Sequence, residues 1–395
     1  MSNEIYIFAG GGTGGHLYPG LAVAEELAAR RPGAKVVFAC SERAIDRRIL
    51  EGQPYPFVPQ PVRAIPRRPW GWPGFLGAWV RSGRLARGLI RDLRPAAVLG
   101  LGGFAAAPVV FRARRAGVPV ALLNPDAVPG RANRVLAGKA DVIFTQFAST
   151  GEVFGPRLGK RVRCVGCPVR AGVTGGDRAE AMRHFGLRGD RRTLLVFGGS
   201  LLAEALGEAV EKLAGELAAH GGRWQVLHIS GSGRAAEIER TRFDKLTASE
   251  AAAGVAVRTV GYCERMDLAY AAADLALARA GAVTVAELAA TGTPAVLMPY
   301  PHHADQHQRL NAGELVRAGA AVICEDRVDA AANAAALREV LLPLMGDAGR
   351  LDLMRRAAGK LAGRRFDKLT ASRAAGEVAA WLAGAGGQQP VAGSQ

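Results

Sequence analysis

The first residues whose types suggest chemistry form a glycine-rich loop, G-G-G-T-G-G-H, at positions 10–16. The loop follows an apolar run at 4–9 and precedes a helical pattern at about 18–31. Glycine lets the backbone approach a ligand closely, and the N–H groups that open a helix attract phosphate. His16 ends the loop, and an imidazole at a helix start tends to stay neutral and can accept a proton. The loop therefore predicts an anion site beside a candidate base, with a phosphate contact or simple packing as the alternative for His16.

The most specific cluster is R-A-G-A-V-T-V-A-E-L at positions 279–288, where a strand end runs into a helix. The N–H groups at that helix start can hold a diphosphate without a metal ion. Glu287 follows about one turn later, where its carboxylate can accept two hydrogen bonds from a ribose diol or can pair within the helix. The polar run P-Y-P-H-H-A-D-Q-H-Q at 299–308 has the composition of a sugar-binding edge.

A further glycine loop at 198–200 ends in Ser200, which predicts either a phosphate or sugar contact or a plain helix cap. The chain contains no D-x-D sequence, the motif that commonly holds a metal ion in single-domain sugar transferases. The three histidines of the 299–308 run lack a matching set of carboxylates. We therefore expect no metal cofactor, and we expect helix starts and basic side chains to stabilise a leaving group.

A nicotinamide-binding site is an alternative interpretation of the first loop. Gly10, Gly12 and Gly15 satisfy the spacing G-x-G-x-x-G, which is typical of dinucleotide-binding folds. Such a site also requires an acidic residue at the end of the second strand, and here Glu42 comes slightly late. The spacing alone is a weak signal, so this alternative is disfavoured.

Predicted strands and helices alternate along the chain, and they must position these loops. The 395 residues contain short apolar runs separated by helical patterns, which predicts α/β domains with parallel sheets. A Gly, Pro and Arg-rich stretch near Pro168 divides the chain into two predicted domains, 1–167 and 168–364. The chain ends in helical segments to about residue 382, and the tail 384–395 is predicted to be disordered. The apolar runs lie at 4–9, 35–39, 96–101, 118–123 and 141–145, and then at 193–197, 225–229, 255–260, 275–278 and 295–298.

The net charge of +16 favours anionic partners. Arginine is dense between residues 60 and 100, where Asp92 is the one acidic residue. Tryptophan prefers the headgroup boundary of a membrane, so the aromatic stretch predicts docking on an anionic membrane surface rather than on nucleic acid. The alternative, a helix packed on its own domain, suits residues 86–94 better. The residues predicted to dock are Trp70, Trp72, Phe75, Leu76 and Trp79.

Five irregularly spaced cysteines do not form a disulfide framework, which indicates reduced thiols in the cytosol. The N-terminus runs directly into a strand and is not typical of a signal peptide. The sequence also lacks an apolar run of the ~20 residues that span a bilayer. Any membrane contact is therefore expected to be peripheral.

The sequence resembles the MurG family. The enzymes of this family add N-acetylglucosamine from UDP-GlcNAc to the undecaprenyl-pyrophosphoryl-MurNAc-pentapeptide precursor of peptidoglycan. The match runs from G-G-T-G-G-H at 11–16 to residue 312, and the segments 279–288 and 299–312 are its most specific parts. D-A-V-P-G-R-A-N at 126–133 and C-P-V-R at 167–170 support it. The chain departs from the family pattern at Phe104, 123–126, Cys167 and 201–202.

The resemblance implies a GT-B fold, with two Rossmann-like domains whose parallel sheets face each other across a cleft. It also implies that a last helix, at about 365–383, crosses back to the first domain. It implies UDP-GlcNAc as donor, an undecaprenyl-linked lipid as acceptor, no metal, and a peripheral location on the cytoplasmic face of the inner membrane. It places 13–16 opposite the acceptor diphosphate and the reacting sugar. The donor-binding residues that it implies are Thr13, Gly14, Gly15, Asp126, Arg170, Ser200, Cys263, Ala282, Val283, Thr284, Glu287 and Gln308.

The predicted reaction is a direct, inverting displacement in which the acceptor 4-hydroxyl attacks the anomeric carbon. His16 is the first candidate for the base that removes the hydroxyl proton, and Asp126 is the second. The helix that starts near Ala282 and the side chain of Arg170 would stabilise the UDP leaving group. Three alternatives stay open: a related GT-B enzyme for another lipid, a nicotinamide oxidoreductase, and a non-catalytic membrane module that binds a nucleotide sugar.

Overall fold

A computed structural model describes residues 4–66, 68–198, 204–220, 222–231, 255–365 and 373–386. Contacts divide the chain into two compact units, Met1–Arg170 with Leu369–Gln395, and Ala171–Lys368. The sequence places the division after residue 167, whereas the contacts place it after Arg170. From residue 387 onward, the predicted tail lies outside the described residues.

The first unit contains a seven-stranded parallel sheet in the order β3-β2-β1-β4-β5-β6-β7. Its inner strands are continuous apolar runs because both faces of the sheet are covered. In β1, Tyr6 and Phe8 belong to the core on one face, while Ile7 and Ala9 belong to the core on the other. The strands are Ile5–Gly10 (β1), Lys35–Ser41 (β2), Phe57–Gln60 (β3), Ala97–Gly102 (β4), Val120–Asn124 (β5), Val142–Thr145 (β6) and Val162–Cys164 (β7).

Helices cover both faces of this sheet. The first core contains apolar residues of α1, α2 and α16, and the second contains apolar residues of α3, α4 and α5. The last helix, α16, packs on α1, which brings the C-terminal segment into the first unit. The helices are Gly14–Arg30 (α1), Ala44–Glu51 (α2), Trp72–Leu93 (α3), Ala106–Arg115 (α4), Arg131–Leu136 (α5), Thr150–Val153 (α6), Gly155–Gly159 (α7) and Arg373–Gly386 (α16).

The second unit contains a six-stranded parallel sheet in the order β10-β9-β8-β11-β12-β13. Its strands are Arg192–Phe197 (β8), Trp224–Ile229 (β9), Ala256–Val260 (β10), Leu275–Ala278 (β11), Ala295–Leu297 (β12) and Ala321–Ile323 (β13). Its core joins these strands to apolar residues of α9, α14 and α15. The helices are Arg178–Phe185 (α8), Glu204–Lys212 (α9), Ala214–Ala218 (α10), Met266–Ala272 (α11), Ala282–Thr291 (α12), His307–Arg317 (α13), Ala330–Gly346 (α14) and Ala348–Arg365 (α15).

In each sheet the strand order reverses between the first and the fourth strand along the chain, which are β1 and β4 in one unit and β8 and β11 in the other. Ligands of open parallel sheets bind at the carboxyl ends of the strands beside such a reversal. The glycine loop at 10–16 follows β1, and the segment 279–281 follows β11. The two most specific sequence clusters therefore lie where each fold favours a ligand.

Candidate active site

His16 is half-buried in the first turn of α1 and contacts the glycine loop that precedes it. Its Nδ1 lies 3.0 Å from the carbonyl oxygen of Gly11 and 3.3 Å from Oγ1 of Thr13. A carbonyl oxygen can only accept, so this contact assigns the ring proton to Nδ1 and leaves the lone pair on Nε2. Burial lowers the pKa of His16, and the charge of Asp126 opposes this shift only in part. The neutral ring can therefore accept a proton at Nε2.

Two glycines at the end of β4 leave room for this arrangement. A Cβ atom on Gly102 would lie 2.9 Å from Cδ2 of His16, and one on Gly103 would lie 2.5 Å from the carbonyl oxygen of Gly11. Both glycines have positive φ angles, +101° and +73°, which other residues rarely adopt. The close approach of β4 to the histidine therefore requires glycine at both positions.

The loop at 10–16 is held from outside by Asp46, a fully buried residue of α2 that the sequence did not single out. The backbone N–H of Gly12 donates to the carboxylate of Asp46, and its nitrogen lies 2.8 Å from each carboxylate oxygen. This N–H is therefore satisfied by the protein and is not open to phosphate. After Gly12, the N–H groups of Thr13, Gly14 and Gly15 stay candidates for that contact, since the N–H of His16 donates to the carbonyl of Thr13 at 3.2 Å.

Asp126, the second candidate base, lies half-buried in the loop after β5. The side-chain amide of Asn124 donates to its carbonyl oxygen at 2.7 Å, and Asn133 donates to Oδ1 of Asn124 at 2.9 Å. Asp126 is close enough to His16 for its charge to oppose the lowered pKa of the imidazole. The structure therefore brings the two candidate bases into one neighbourhood of the first unit.

Other predicted residues of the first unit also border the start of α1. Thr13 is the N-cap residue in an extended conformation, and the following glycines lead into the helix. A Cβ atom on Gly14 would lie 2.8 Å from the ring of Tyr18, whereas Gly15 is exposed. The guanidinium of Arg170 lies over the same Tyr18 ring, 4.5 Å from its centre. This cation–π contact places Arg170 beside the first helix.

In the second unit, α12 begins directly after the predicted diphosphate loop. Gly281 is its N-cap residue, with φ −64° and ψ 147°. Glycine has no side chain that could accept from the first N–H groups of the helix, which are those of Ala282, Val283 and Thr284. Such N–H groups attract phosphate oxygens, so the geometry suits the role predicted for these three residues.

Glu287, the predicted ribose ligand, is almost fully buried on α12. The hydroxyl of Tyr270, on α11, donates to its Oε2 at 2.8 Å. Tyr270 in turn contacts the ring of Phe197 edge to face, with the ring centres 5.9 Å apart. The carboxylate is therefore held by a neighbouring helix, a contact that the sequence did not predict. Its contact with a ribose stays a prediction.

Gln308 and Asn311, on α13, hold backbone groups near the same loop. Oε1 of Gln308 accepts from the N–H of Tyr300 at 2.9 Å, and Nδ2 of Asn311 donates to the carbonyl of Ala280 at 3.2 Å. Both side chains are buried. Gln308 therefore positions the polar run at 299–308, and its contact with the donor stays a prediction.

A buried ion pair fixes the residue before the α12 loop. Nη1 of Arg279 donates to Oδ2 of Asp326 at 2.6 Å and to the carbonyl of Met298 at 3.1 Å. Oδ1 of Asp326 also accepts from the side chain of Asn333 and from the N–H of Val328. Burial alone would raise the pKa of Asp326, but these hydrogen bonds and the charge of Arg279 lower it below its usual range. Arg279 is therefore a structural residue, and Asp326 is a partner that the motif did not reveal.

Two predicted donor contacts have less structural support. Cys263 is half-buried in the loop after β10, and burial raises the pKa of its thiol to about 11. The thiol is therefore protonated at neutral pH and is not a nucleophile. Ser200 lies outside the described residues, as do the departures at 201–202.

The histidines of the 299–308 run contact each other and an aspartate. The rings of His303 and His307 stack with their centres 4.3 Å apart, and Nδ1 of His307 lies 2.7 Å from Oδ1 of Asp305. Across the part of the chain that the structure describes, no group of three or more His, Cys, Asp or Glu residues is arranged to hold a metal ion.

Comparison with known proteins places this site in a family. The glycosyltransferase family 28 N-terminal domain matches residues 6–145, and the family 28 C-terminal domain matches residues 193–369. A UDP-N-acetylglucosamine--N-acetylmuramyl-(pentapeptide) pyrophosphoryl-undecaprenol N-acetylglucosamine transferase of Chlorobaculum parvum is 38% identical over 373 residues, 91% of this chain and 97% of the relative. A protein of the same name from Leifsonia xyli subsp. xyli is 39% identical over 360 residues, 89% of this chain and 93% of the relative. The crystal structure of Acinetobacter baumannii MurG covers 96% of this chain and 99% of its own, with a TM-score of 0.66 and 26% identity.

The chain belongs to the MurG family. The GT-B fold class predicted from the sequence is confirmed, because each unit has its parallel sheet and each matches its own family 28 domain. Where the chain departs from the MurG pattern in its first unit, Phe104 is exposed and Cys167 is buried.

The residues predicted to dock on a membrane lie at the start of α3 and just before it. The exposed fraction is 73% for Trp70, 44% for Trp72 and 52% for Leu76. Phe75 and Trp79 stack on each other, and Trp79 also contacts Phe111 of α4. Further along α3, Ala86 and Ile90 are buried in the core. Among the described helices, none has the length and apolar character to cross a bilayer.

Replacing Asp326 by alanine tests the structural role of the buried ion pair. The change leaves the guanidinium of Arg279 buried without its carboxylate, so we expect the free energy of unfolding to fall by about 3–5 kcal/mol. Asp329→Ala is the matched control, because Asp329 only caps α14 through the N–H of Ala332 and should cost about 1 kcal/mol. Chemical denaturation at pH 7 measures both, and equal losses would contradict the assignment.

The same pair predicts how this difference depends on pH. The pKa of Asp326 is lowered in the folded state, so its stabilisation is complete above the unfolded value of about 3.9. It is lost as the pH falls through the lower folded-state value. The gap between the wild type and Asp326→Ala should therefore stay constant near neutral pH and shrink below about pH 4.

Proposed function

We propose that this chain transfers GlcNAc from UDP-GlcNAc to the 4-hydroxyl of MurNAc-pentapeptide on undecaprenyl pyrophosphate, with inversion and without a metal ion. The observation that carries the proposal is the identity of 38% with the Chlorobaculum parvum transferase over nearly the full length of both chains. The name of that relative states this transferred group and this acceptor. The site described above supplies groups that suit the reaction.

The first unit supplies the groups that handle the acceptor proton. The acceptor oxygen attacks the anomeric carbon, its proton passes to Nε2 of His16, and the bond from that carbon to the UDP oxygen breaks. His16 suits this step because its lowered pKa keeps the ring neutral and its contact with Gly11 directs the proton to Nδ1. Asp126 is the second candidate for the base.

The second unit supplies the groups that hold the donor. In this proposal the N–H groups that open α12 bind the diphosphate and stabilise the charge that develops on departing UDP. Glu287, held by Tyr270, binds the ribose diol. Ser200, Cys263 and Gln308 complete the proposed set in the second unit, and the first unit contributes Thr13–Gly15, Asp126 and Arg170.

Transfer of labelled GlcNAc to a short-chain analogue of the lipid-linked precursor tests the function. We expect product with UDP-GlcNAc as donor and an unchanged rate after EDTA treatment, because helix N–H groups replace a metal at the diphosphate. A diacylglycerol acceptor serves as the control for a different lipid. No transfer to the precursor analogue would contradict the function, and a rate that requires a divalent cation would contradict only the metal-independent mechanism.

Replacing His16 by alanine tests the base. We expect kcat to fall by about 10²–10⁴, because a positioned base contributes that factor, while calorimetric binding of UDP is unchanged. The acid limb of the wild-type profile of kcat/KM should lie below the ordinary histidine value of about 6.5, since the base must be deprotonated and its pKa is lowered. Asp126→Asn is the parallel variant, and a larger loss there than in His16→Ala would assign the base to Asp126.

We also propose that the start of α3 docks the enzyme on an anionic membrane at the cytoplasmic face of the inner membrane. The support is the exposure of Trp70, Trp72 and Leu76 beside a segment rich in exposed arginine. Indole rings favour the headgroup boundary, and each nearby cation adds roughly 1 kcal/mol of attraction to an anionic surface. Phe75 and Trp79 would stiffen this surface through their stacking.

A double variant, Trp70→Ser with Leu76→Ser, tests docking. These two side chains are the most exposed of the set, so their removal should leave the core intact. We expect binding to phosphatidylglycerol vesicles, measured by cosedimentation, to fall about tenfold or more, because the lost apolar contact with the bilayer is worth over 1 kcal/mol. Leu353→Ser is the control, since Leu353 is equally apolar, 62% exposed and lies on α15 in the other unit. Equal binding of the double variant and the control would contradict the proposal.

A further inference from the structure

The buried carboxylate of Asp46 lies beside the first glycine loop and accepts hydrogen bonds from several donors. Besides the Gly12 N–H, it accepts from the N–H of Ser41 at 2.9 Å and from the Ser41 hydroxyl at 2.5 Å. Asp46 lies on α2, 34 positions after Gly12, and its side chain is fully buried. A buried carboxylate requires several such donors, because their hydrogen bonds offset the hydration that it loses on burial. The loop after β1 and the end of β2 are therefore tied to one charge.

The loop conformation depends on this contact. Gly11 and Gly12 have φ angles of +153° and +91°, and a Cβ atom on Gly11 would overlap Oδ2 of Asp46. Nη1 of Arg43 donates to the carbonyl of Gly12 at 3.1 Å. Gly12 is therefore held at both its N–H and its carbonyl by residues outside the loop, although glycine itself imposes little order.

One peptide group connects Asp46 to His16. The carbonyl of Gly11 and the N–H of Gly12 belong to the same planar unit, so they point in opposite directions. Its N–H donates to Asp46, and its oxygen accepts from Nδ1 of His16 at 3.0 Å. Because hydrogen bonds in a chain polarise one another, the negative charge on one side makes the carbonyl on the other a stronger acceptor.

We propose that Asp46 is a positioning residue of the transfer reaction, which acts through the Gly11–Gly12 peptide to hold His16 with its proton on Nδ1 and its lone pair on Nε2. The role is that of a carboxylate that orients a catalytic imidazole, with a peptide group inserted between the two. The proposal rests on the function proposed above, in which His16 removes the acceptor proton. Asp46 itself touches neither substrate.

Asp46→Asn is the main test, because asparagine offers one acceptor oxygen and no charge. We expect kcat to fall about ten- to hundredfold, as when the partner that orients a catalytic or ligating side chain is removed, and KM for UDP-GlcNAc to change less than about twofold. Asp46→Glu keeps the carboxylate and should retain more activity than Asp46→Asn. Asp141→Asn is the matched control: Asp141 also holds a backbone N–H of the first unit, that of Val120, and its kcat should equal that of the wild type.

A double-mutant cycle separates positioning from general loss of structure. In a His16→Ala background, Asp46→Asn should cost less than about twofold in kcat, because its effect passes through His16. An equal loss in both backgrounds would overturn the proposal, as would wild-type kcat in Asp46→Asn.

Nitrogen-15 NMR of the histidines supplies a readout that does not depend on turnover. The chain has seven histidines, and the signals of His16 are identified by their absence in His16→Ala. We expect the neutral Nδ1–H form in the wild type and a mixture of the two tautomers in Asp46→Asn. The Nε2–H form in the wild type would overturn the proposal even if no Asp46 variant folds. If the wild type fails to transfer GlcNAc, the proposed function fails, whereas the tautomers still decide whether Asp46 orients His16.

Discussion

Hydrogen bonds to buried carboxylates hold one glycine-containing loop in each of the two units. A charge removed from water requires compensating hydrogen bonds or an opposite charge nearby. In the first unit Asp46 obtains them from the backbone of the β1–α1 loop, and in the second Asp326 obtains them from Arg279, next to the α12 loop. Both loops contain glycine, which loses more conformational freedom on folding than other residues. An acidic side chain from another element therefore supplies the order that the loop sequences cannot.

The sequence alone predicts part of the fold, and the strands show where it succeeds and where it does not. The inner strands were predicted because strands covered on both faces appear as continuous apolar runs. The edge strands β3, β7 and β13 were missed because they are short, and because β3 contains Pro59 while β7 contains the exposed Arg163. β3 and β7 therefore carry little hydrophobic signal, and their pairing is determined by the sheet that they join.

The candidate site residues also divide into those that the sequence predicts and those that only the structure reveals. The glycine loops and Glu287 could be recognised because their signal is local, a strand end followed by small residues and a helix. Asp46, Tyr270 and Asp326 could not, since their partners lie 34, 17 and 47 positions away and an acid or tyrosine on a helix has no pattern of its own. Local chemistry can therefore be predicted from spacing, whereas the residues that hold it in place become visible only in the folded chain.

The Asp46 contact also explains how a loop with dinucleotide spacing can serve different chemistry. In a dinucleotide site the N–H groups of such a loop face the pyrophosphate. Here the Gly12 N–H faces a carboxylate, and two negative charges about 4 Å apart repel each other by about 1–4 kcal/mol in water or near a protein surface. An anion is therefore disfavoured at Gly12, and the N–H groups left to bind one are those at 13–15, because the N–H of His16 donates to Thr13. An anion bound at 13–15 would lie nearer to His16 than one bound at Gly12, so the contact that disfavours a dinucleotide also suits the role proposed for the imidazole.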